Sequence, residues 1–238
     1  MSTTNLQYKP SELSFSTKGG YYFYESIYNF MNSDSLPENM IESNKLLAQY
    51  WAESMGHYLQ TATGATVDTG TVSGGTFTGV GTLSSVEDST DTCYNIMLQY
   101  LNMMNTTYQN TFYSQGIVYS IIALFLASTV EFQVTGVTVI PPGVSVPLTG
   151  KSESSTWINN CKDMYSSFDV IFEQFNANGA SQSAYDSKIL QGKYKSYEHS
   201  LCDQIGVLIT TCFNMNVITT SGQSTLSGSV GTGAMIFS

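Results

Sequence analysis

The chain has 238 residues, of which 42% are hydrophobic and only 11% charged, and its net charge is −10. It holds ample material for the core of one domain or two small ones, with a surface that must be covered largely by Ser, Thr, Asn, Gln, Gly and Tyr. The basic residues are eight lysines with no arginine, which excludes a basic face for sequence-specific nucleic-acid binding and any guanidinium clamp on phosphate or carboxylate.

Residues 1–36 read as an N-terminal arm carrying the aromatic runs Tyr21-Tyr22-Phe23-Tyr24 and Tyr28-Asn29-Phe30. Tyrosine buries a large ring and keeps a polar tip, so these runs suit a protein contact, whereas base stacking needs a basic groove. Met1–Lys9 lacks the basic and apolar regions of a secretory signal, which places synthesis in the host cytoplasm.

Residues 37–238 read as one domain in which long helix-period segments alternate with short Gly/Thr/Ser/Val segments. A first helix starts at Pro37 with Ser35 as its cap, and Met40, Leu47, Trp51, Met55 and Tyr58 line its apolar face. A hairpin over about 63–84 follows, with Gly74-Gly75 as its two-residue turn. A second helix is expected over 85–107, with Val86, Cys93, Met97, Leu101 and Met104 on one face, and a third over 108–130. The apolar run 116–130 has 15 residues, short of the roughly 20 that span a bilayer, and has no flanking lysine. It reads as a buried core helix, and a membrane contact is not expected.

The second hairpin, 132–150, turns at Pro141-Pro142-Gly143, and Pro147 restricts its returning strand to an edge. Helices over 155–176 and 183–215 come next, the latter weakened at Gly192 and Gly206. The third hairpin, 217–238, closes the chain. Aligning Leu59, Leu126 and Leu208 puts Gly81, Gly150 and Gly231 nearly in step, as an internal repeat would. The fold class expected is therefore α+β: mainly a helical bundle bearing three Gly/Thr-rich hairpins. Such hairpins are marginal alone and must pair, within the chain or across subunits of a ring.

No catalytic, cofactor or metal site is assigned. His57 reads as a helix-surface or interface histidine, and His199, in Lys193-Tyr194-Lys195-Ser196-Tyr197-Glu198-His199, as part of a solvated helix face. Cys93, Cys161, Cys202 and Cys212 lie far apart without a C-x-x-C pair and read as small buried residues. Ser145-Val146-Pro147-Leu148-Thr149-Gly150-Lys151-Ser152 ends like a P-loop, but Ser replaces its first Gly and Pro147 removes a cradling N–H.

Helical pairs ending in hairpins such as Thr71-Val72-Ser73-Gly74-Gly75-Thr76-Phe77-Thr78-Gly79 and Ser224-Thr225-Leu226-Ser227-Gly228-Ser229-Val230-Gly231 give the chain a pattern that resembles virion structural proteins of tailed bacteriophages: neck, tail and baseplate subunits. The resemblance implies a non-enzymatic, ring-forming virion subunit that pairs with itself and other virion proteins. An acidic lumen in such a ring lets DNA slide without sticking. The alternative is an extracellular adhesive or carbohydrate-binding protein presenting its aromatic side chains.

Overall fold

The computed structural model describes residues 6–34, 36–72, 75–104, 109–136, 145–151, 155–176, 192–215, 218–222 and 229–238. Seven helices longer than one turn occur among them: α1 (Lys18–Met31), α2 (Met40–Gln60), α3 (Thr90–Met103), α4 (Gln109–Ala127), α5 (Ser155–Asp163), α6 (Tyr165–Asn176) and α7 (Tyr197–Asn214). The strands are β1 (Thr63–Val72), β2 (Gly75–Glu87), β3 (Thr129–Gly136), β4 (Ser145–Lys151), β5 (Ile218–Gly222) and β6 (Ser229–Ile236).

The expectation of three separate hairpins on a helical bundle is corrected at the hairpins, while the helices are present. The helices supply a buried apolar core, which Met235 and Phe237 join. The strands do not stand as three hairpins: each pairs antiparallel with both neighbours, and β6 returns to β1, closing one barrel in the order β1-β2-β3-β4-β5-β6. The turns expected at Gly74-Gly75 and Pro141-Pro142-Gly143 fall wholly or partly outside the described residues; Gly75 itself is strand, paired with Val72. The repeat also lacks equivalent environments, because Leu59 is fully buried and Leu126 is 46% exposed.

Closure has a backbone cause. Glycines fall in register across neighbouring strands: Gly79 pairs with Gly136, while Asp68 of β1 lies between Gly79 of β2 and Gly231 of β6. Positions without a Cβ let a small sheet coil tightly enough to meet itself. Pro147 of β4 pairs with Gln133 of β3, and β5 pairs with β4 at Thr149–Lys151. Because strands alternate in direction, the passages to helices all lie at one end of the barrel. Gln60 Nε2 donates to Asp88 Oδ1 there at 3.1 Å, and Asn214 brackets Phe237, accepting from its N–H at 2.8 Å and donating to its carbonyl at 3.0 Å.

Several helix boundaries differ from the sequence reading. Helix α2 begins after Asn39, whose Oδ1 accepts from Glu42 N at 2.9 Å, so the cap is neither Ser35 nor the start Pro37. Residues 85–87 belong to β2 and 129–130 to β3, extending strands at the expense of the expected helices. Residues 192–196 are not helical, and Gly192 has a φ of 73°. Gly206, in contrast, does not break α7, which runs continuously across it.

The N-terminal segment is not a free arm. Within it α1 buries Phe23 and Tyr24 in the shared core, capped by Thr17, whose Oγ1 accepts from Gly20 N at 3.3 Å. Helix α1 lies so close to α7 that a Cβ at Gly206 would run into the Cα and N of Gly20, and one at Gly19 would meet Gly206 O at 2.6 Å. Helix α4, apolar nearly all round, is buried at Ile117, Val118, Ile121, Leu124 and Phe125, as such a helix must be. Trp51 of α2 reaches it by donating from its indole to Ser120 Oγ at 2.8 Å. At the barrel junction Tyr58 and Phe237 pack on Phe213 with ring centroids 4.6 and 4.9 Å away, and Phe125 lies 5.0 Å from the same ring.

Gly206→Ala is expected to destabilise the fold by about 3 kcal/mol through overpacking, lowering Tm by roughly 6–12 °C. In an unhindered helix the same change stabilises by ~1 kcal/mol. Calorimetry therefore reads opposite signs for a close crossing and an open one.

Candidate functional site

The densest polar constellation among the described residues forms where the N-terminal strap, residues 6–17, crosses the start of α7. The strap carries a single 3₁₀ turn, Pro10–Glu12, and packs Leu6, Leu13 and Phe15 against the core. Helix α7 is capped by Ser196, whose Oγ accepts from His199 N at 3.2 Å. This cap directs His199 and, one turn later, Asp203 towards the strap.

His199 and Asp203 are 2% and 3% exposed. His199 Nδ1 accepts from the main-chain N–H of Lys195 at 3.2 Å, so the ring proton is on Nε2, which donates to Ser14 O at 2.8 Å. Phe15 and Tyr194 meet the imidazole edge-on with centroids 4.8 and 5.2 Å away. Asp203 Oδ1 accepts from Ser16 N at 2.5 Å, while Oδ2 accepts from Ser16 Oγ at 2.8 Å and from the Tyr194 hydroxyl at 2.9 Å. Three donors on one buried carboxylate offset the cost of removing it from water. Burial pushes the Tyr194 hydroxyl above its ordinary range, so it remains a proton donor to Asp203 at neutral pH.

The arrangement holds chain segments together and does not present a reactive pair. Nucleophilic catalysis requires a hydroxyl within hydrogen-bond reach of a base nitrogen. Here both His199 nitrogens are engaged by main chain, and the Ser16 hydroxyl is directed to Asp203 instead. Further along the strap Tyr24 donates to Tyr8 O at 2.8 Å and Asn32 to Leu6 O at 3.3 Å. The strap is thus gripped largely by its own backbone.

His57 is exposed on the last turn of α2, as expected, whereas His199 is buried and not on a solvated face. The structure places the two on separate elements. All four cysteines are buried, and none is in a disulfide. Burial pushes the Cys93 thiol up to about 12 and holds Cys202 well above its ordinary value. No group of three or more His, Cys, Asp or Glu residues that could hold a metal occurs among the described residues. The P-loop-like stretch forms strand β4 through Lys151, paired with β3 and β5, so no phosphate-cradling loop exists there. An open groove of about 670 Å³ lies between α2 and α3, lined by Glu42, Lys45, Glu53, Asp91 and Tyr94 among others; Lys45 bridges Glu42 at 2.8 Å within it. Among the described residues no helix is long and apolar enough to cross a membrane.

No family model, curated protein or solved structure matches the chain. The reading of its function therefore rests on its own residues. Sequence reasoning missed Ser16, Tyr194 and Asp203, since the Ser16–Asp203 contact spans 187 positions and no local motif announces it.

Asp203→Ala leaves the Ser16 and Tyr194 donors unpaired and is expected to cost about 3 kcal/mol, against ~1 kcal/mol for Tyr194→Phe. Urea unfolding measures both, and the Ala variant is also expected to be cut faster by protease within the strap. A second expectation concerns alkaline pH. In the unfolded chain the Cys93 thiol ionises near its ordinary value of 9.0, and in the folded protein only at about 12. The folded state then holds this proton longer, so stability falls as pH rises through that window. The fall in the urea midpoint between these pH values is expected to be shallower in Cys93→Ala, and equal slopes would refute the assignment.

Proposed function

We propose that the chain is a non-enzymatic structural subunit of a tailed-bacteriophage particle, part of a neck, tail or baseplate, associating with copies of itself and with other particle proteins. The observation that carries this reading is the division of the molecule into a helical base and a self-closed, almost uncharged barrel. Asp68, Glu87, Glu131 and Lys151 are the charged residues of the six described strands, and the last three lie at the helix-facing end. The polar groups best suited to chemistry, His199, Asp203 and Ser16, are engaged in holding the strap.

Closure within one chain changes how subunits join. The strands have no long free edge to lend, so association falls to side-chain surfaces on the helices. Met40 and Ile41 at the start of α2 are 75% and 61% exposed, and Met103 at the end of α3 is 45% exposed. Asn44 Nδ2 donates to Asn102 Oδ1 at 3.0 Å and brings these two helix ends together. Exposed apolar side chains grouped in this way favour a protein contact over isolated solvation.

Sedimentation of the purified chain over rising concentration is expected to show species heavier than the 26.0 kDa monomer. Ile41→Lys is expected to weaken that association by about tenfold, equivalent to ~1.4 kcal/mol. A monomer at every concentration, together with no trace of the chain in purified particles, would overturn the reading.

A further inference from the structure

Cys161 lies in α5 and Cys212 in the last turn of α7, 51 positions apart, and both are fully buried. Cys161 Sγ donates to Cys212 O at 3.6 Å, a carbonyl among the last four of α7, which lack a helical partner. The Cys161 sulfur therefore lies directly against Cys212. The other two cysteines lie elsewhere: Cys93 is beside Ser120 and Trp51, and Cys202 precedes Cys212 by roughly 15 Å along α7.

We propose that Cys161 and Cys212 are the two halves of a latent disulfide, which closes when the protein meets a small-molecule disulfide and staples α5 to the end of α7. The proposal stands on the buried contact of Cys161 Sγ with Cys212 and is independent of the virion reading. In the first step the Cys161 thiolate attacks one sulfur of the oxidant, whose S–S bond breaks. One thiolate leaves and takes up a proton. Cys212 then loses its proton and attacks the Cys161 sulfur of the mixed disulfide, releasing the second small thiol. The two cysteines lose two electrons, and one oxidant molecule becomes two thiols.

The order of attack follows from the structure. Helix α5 has nine residues, with Asn159, Asn160 and Asp163 exposed beside Cys161, and a helix this short lifts at small cost. Contact with Cys161 and burial hold the Cys212 thiol well above its ordinary value. It is therefore a poor first nucleophile, but in the second step its target sulfur is already adjacent. In a reducing cytoplasm the dithiol persists, and in oxidising surroundings it closes.

The test incubates the full-length protein with oxidised glutathione at about pH 8, a little below the ordinary thiol value, then unfolds it and alkylates the remaining thiols with N-ethylmaleimide. Intact mass is expected to fall from four adducts before oxidation to two after it, with Cys93 and Cys202 carrying the label and peptide mapping joining 161 to 212. The closed form is expected to melt roughly 5–10 °C higher, as a cross-link over a loop of this length does. Cys161→Ser is expected to abolish the link and leave three labelled thiols. Four adducts after oxidation, glutathione retained on either cysteine, or a link through Cys93 or Cys202 would each overturn the proposal.

Discussion

Helices α1 and α7 approach each other at Gly19, Gly20 and Gly206, where no side chain separates the two backbones. A Cβ at Gly206 or Gly19 would collide with the facing backbone, and much of the N-terminal half of the core is arranged around this approach. With α1 held against α7, Phe23 reaches Trp51 of α2 with ring centroids 5.9 Å apart. The Tyr58 hydroxyl comes within 2.8 Å of Thr210 Oγ1. The strap is carried over the start of α7, where Asp203 and His199 receive it. The crossing and the clasp are one construction, since α1 begins two residues after Ser16 and cannot approach α7 without bringing the strap with it.

The barrel obeys a different constraint. Its strands are rich in Gly, Thr and Ser, and their backbone pairing runs around a closed ring. Closure leaves few unpaired main-chain groups at an edge and removes the need for lysine guards along the strands. In the proposed assembly, a barrel completed by one chain leaves subunit contacts to the helices.

The shortage of charge takes on a physical meaning in this setting. Acidic residues on helices such as Glu42, Glu53 and Asp91 border the α2/α3 groove, while the body of the barrel carries Asp68. In the proposed particle role, a charged helical base and a neutral barrel favour neighbours that meet through packing and hydroxyl contacts, not long-range attraction. The buried clasp belongs to the same logic, because its ionisable groups are turned inward and hold the fold.

By itself, the sequence determined the alternation of helical and Gly/Thr-rich segments, the buried character of 116–125 and of the cysteines, and the strand-forming nature of the three hairpin regions. These properties are local: they follow from periodicity, composition and turn chemistry within a few residues. Tertiary structure decided that the strands join in one closed barrel, that residues 18–31 enter the core, and that His199 is buried. It also decided that Gly206 is a contact point and not a weak point. Each depends on partners far away in the chain, Gly20 for Gly206, Ser14 for His199 and β6 for β1. A glycine that weakens an isolated helix is required where a second backbone lies against it, and only the folded chain brings that backbone there.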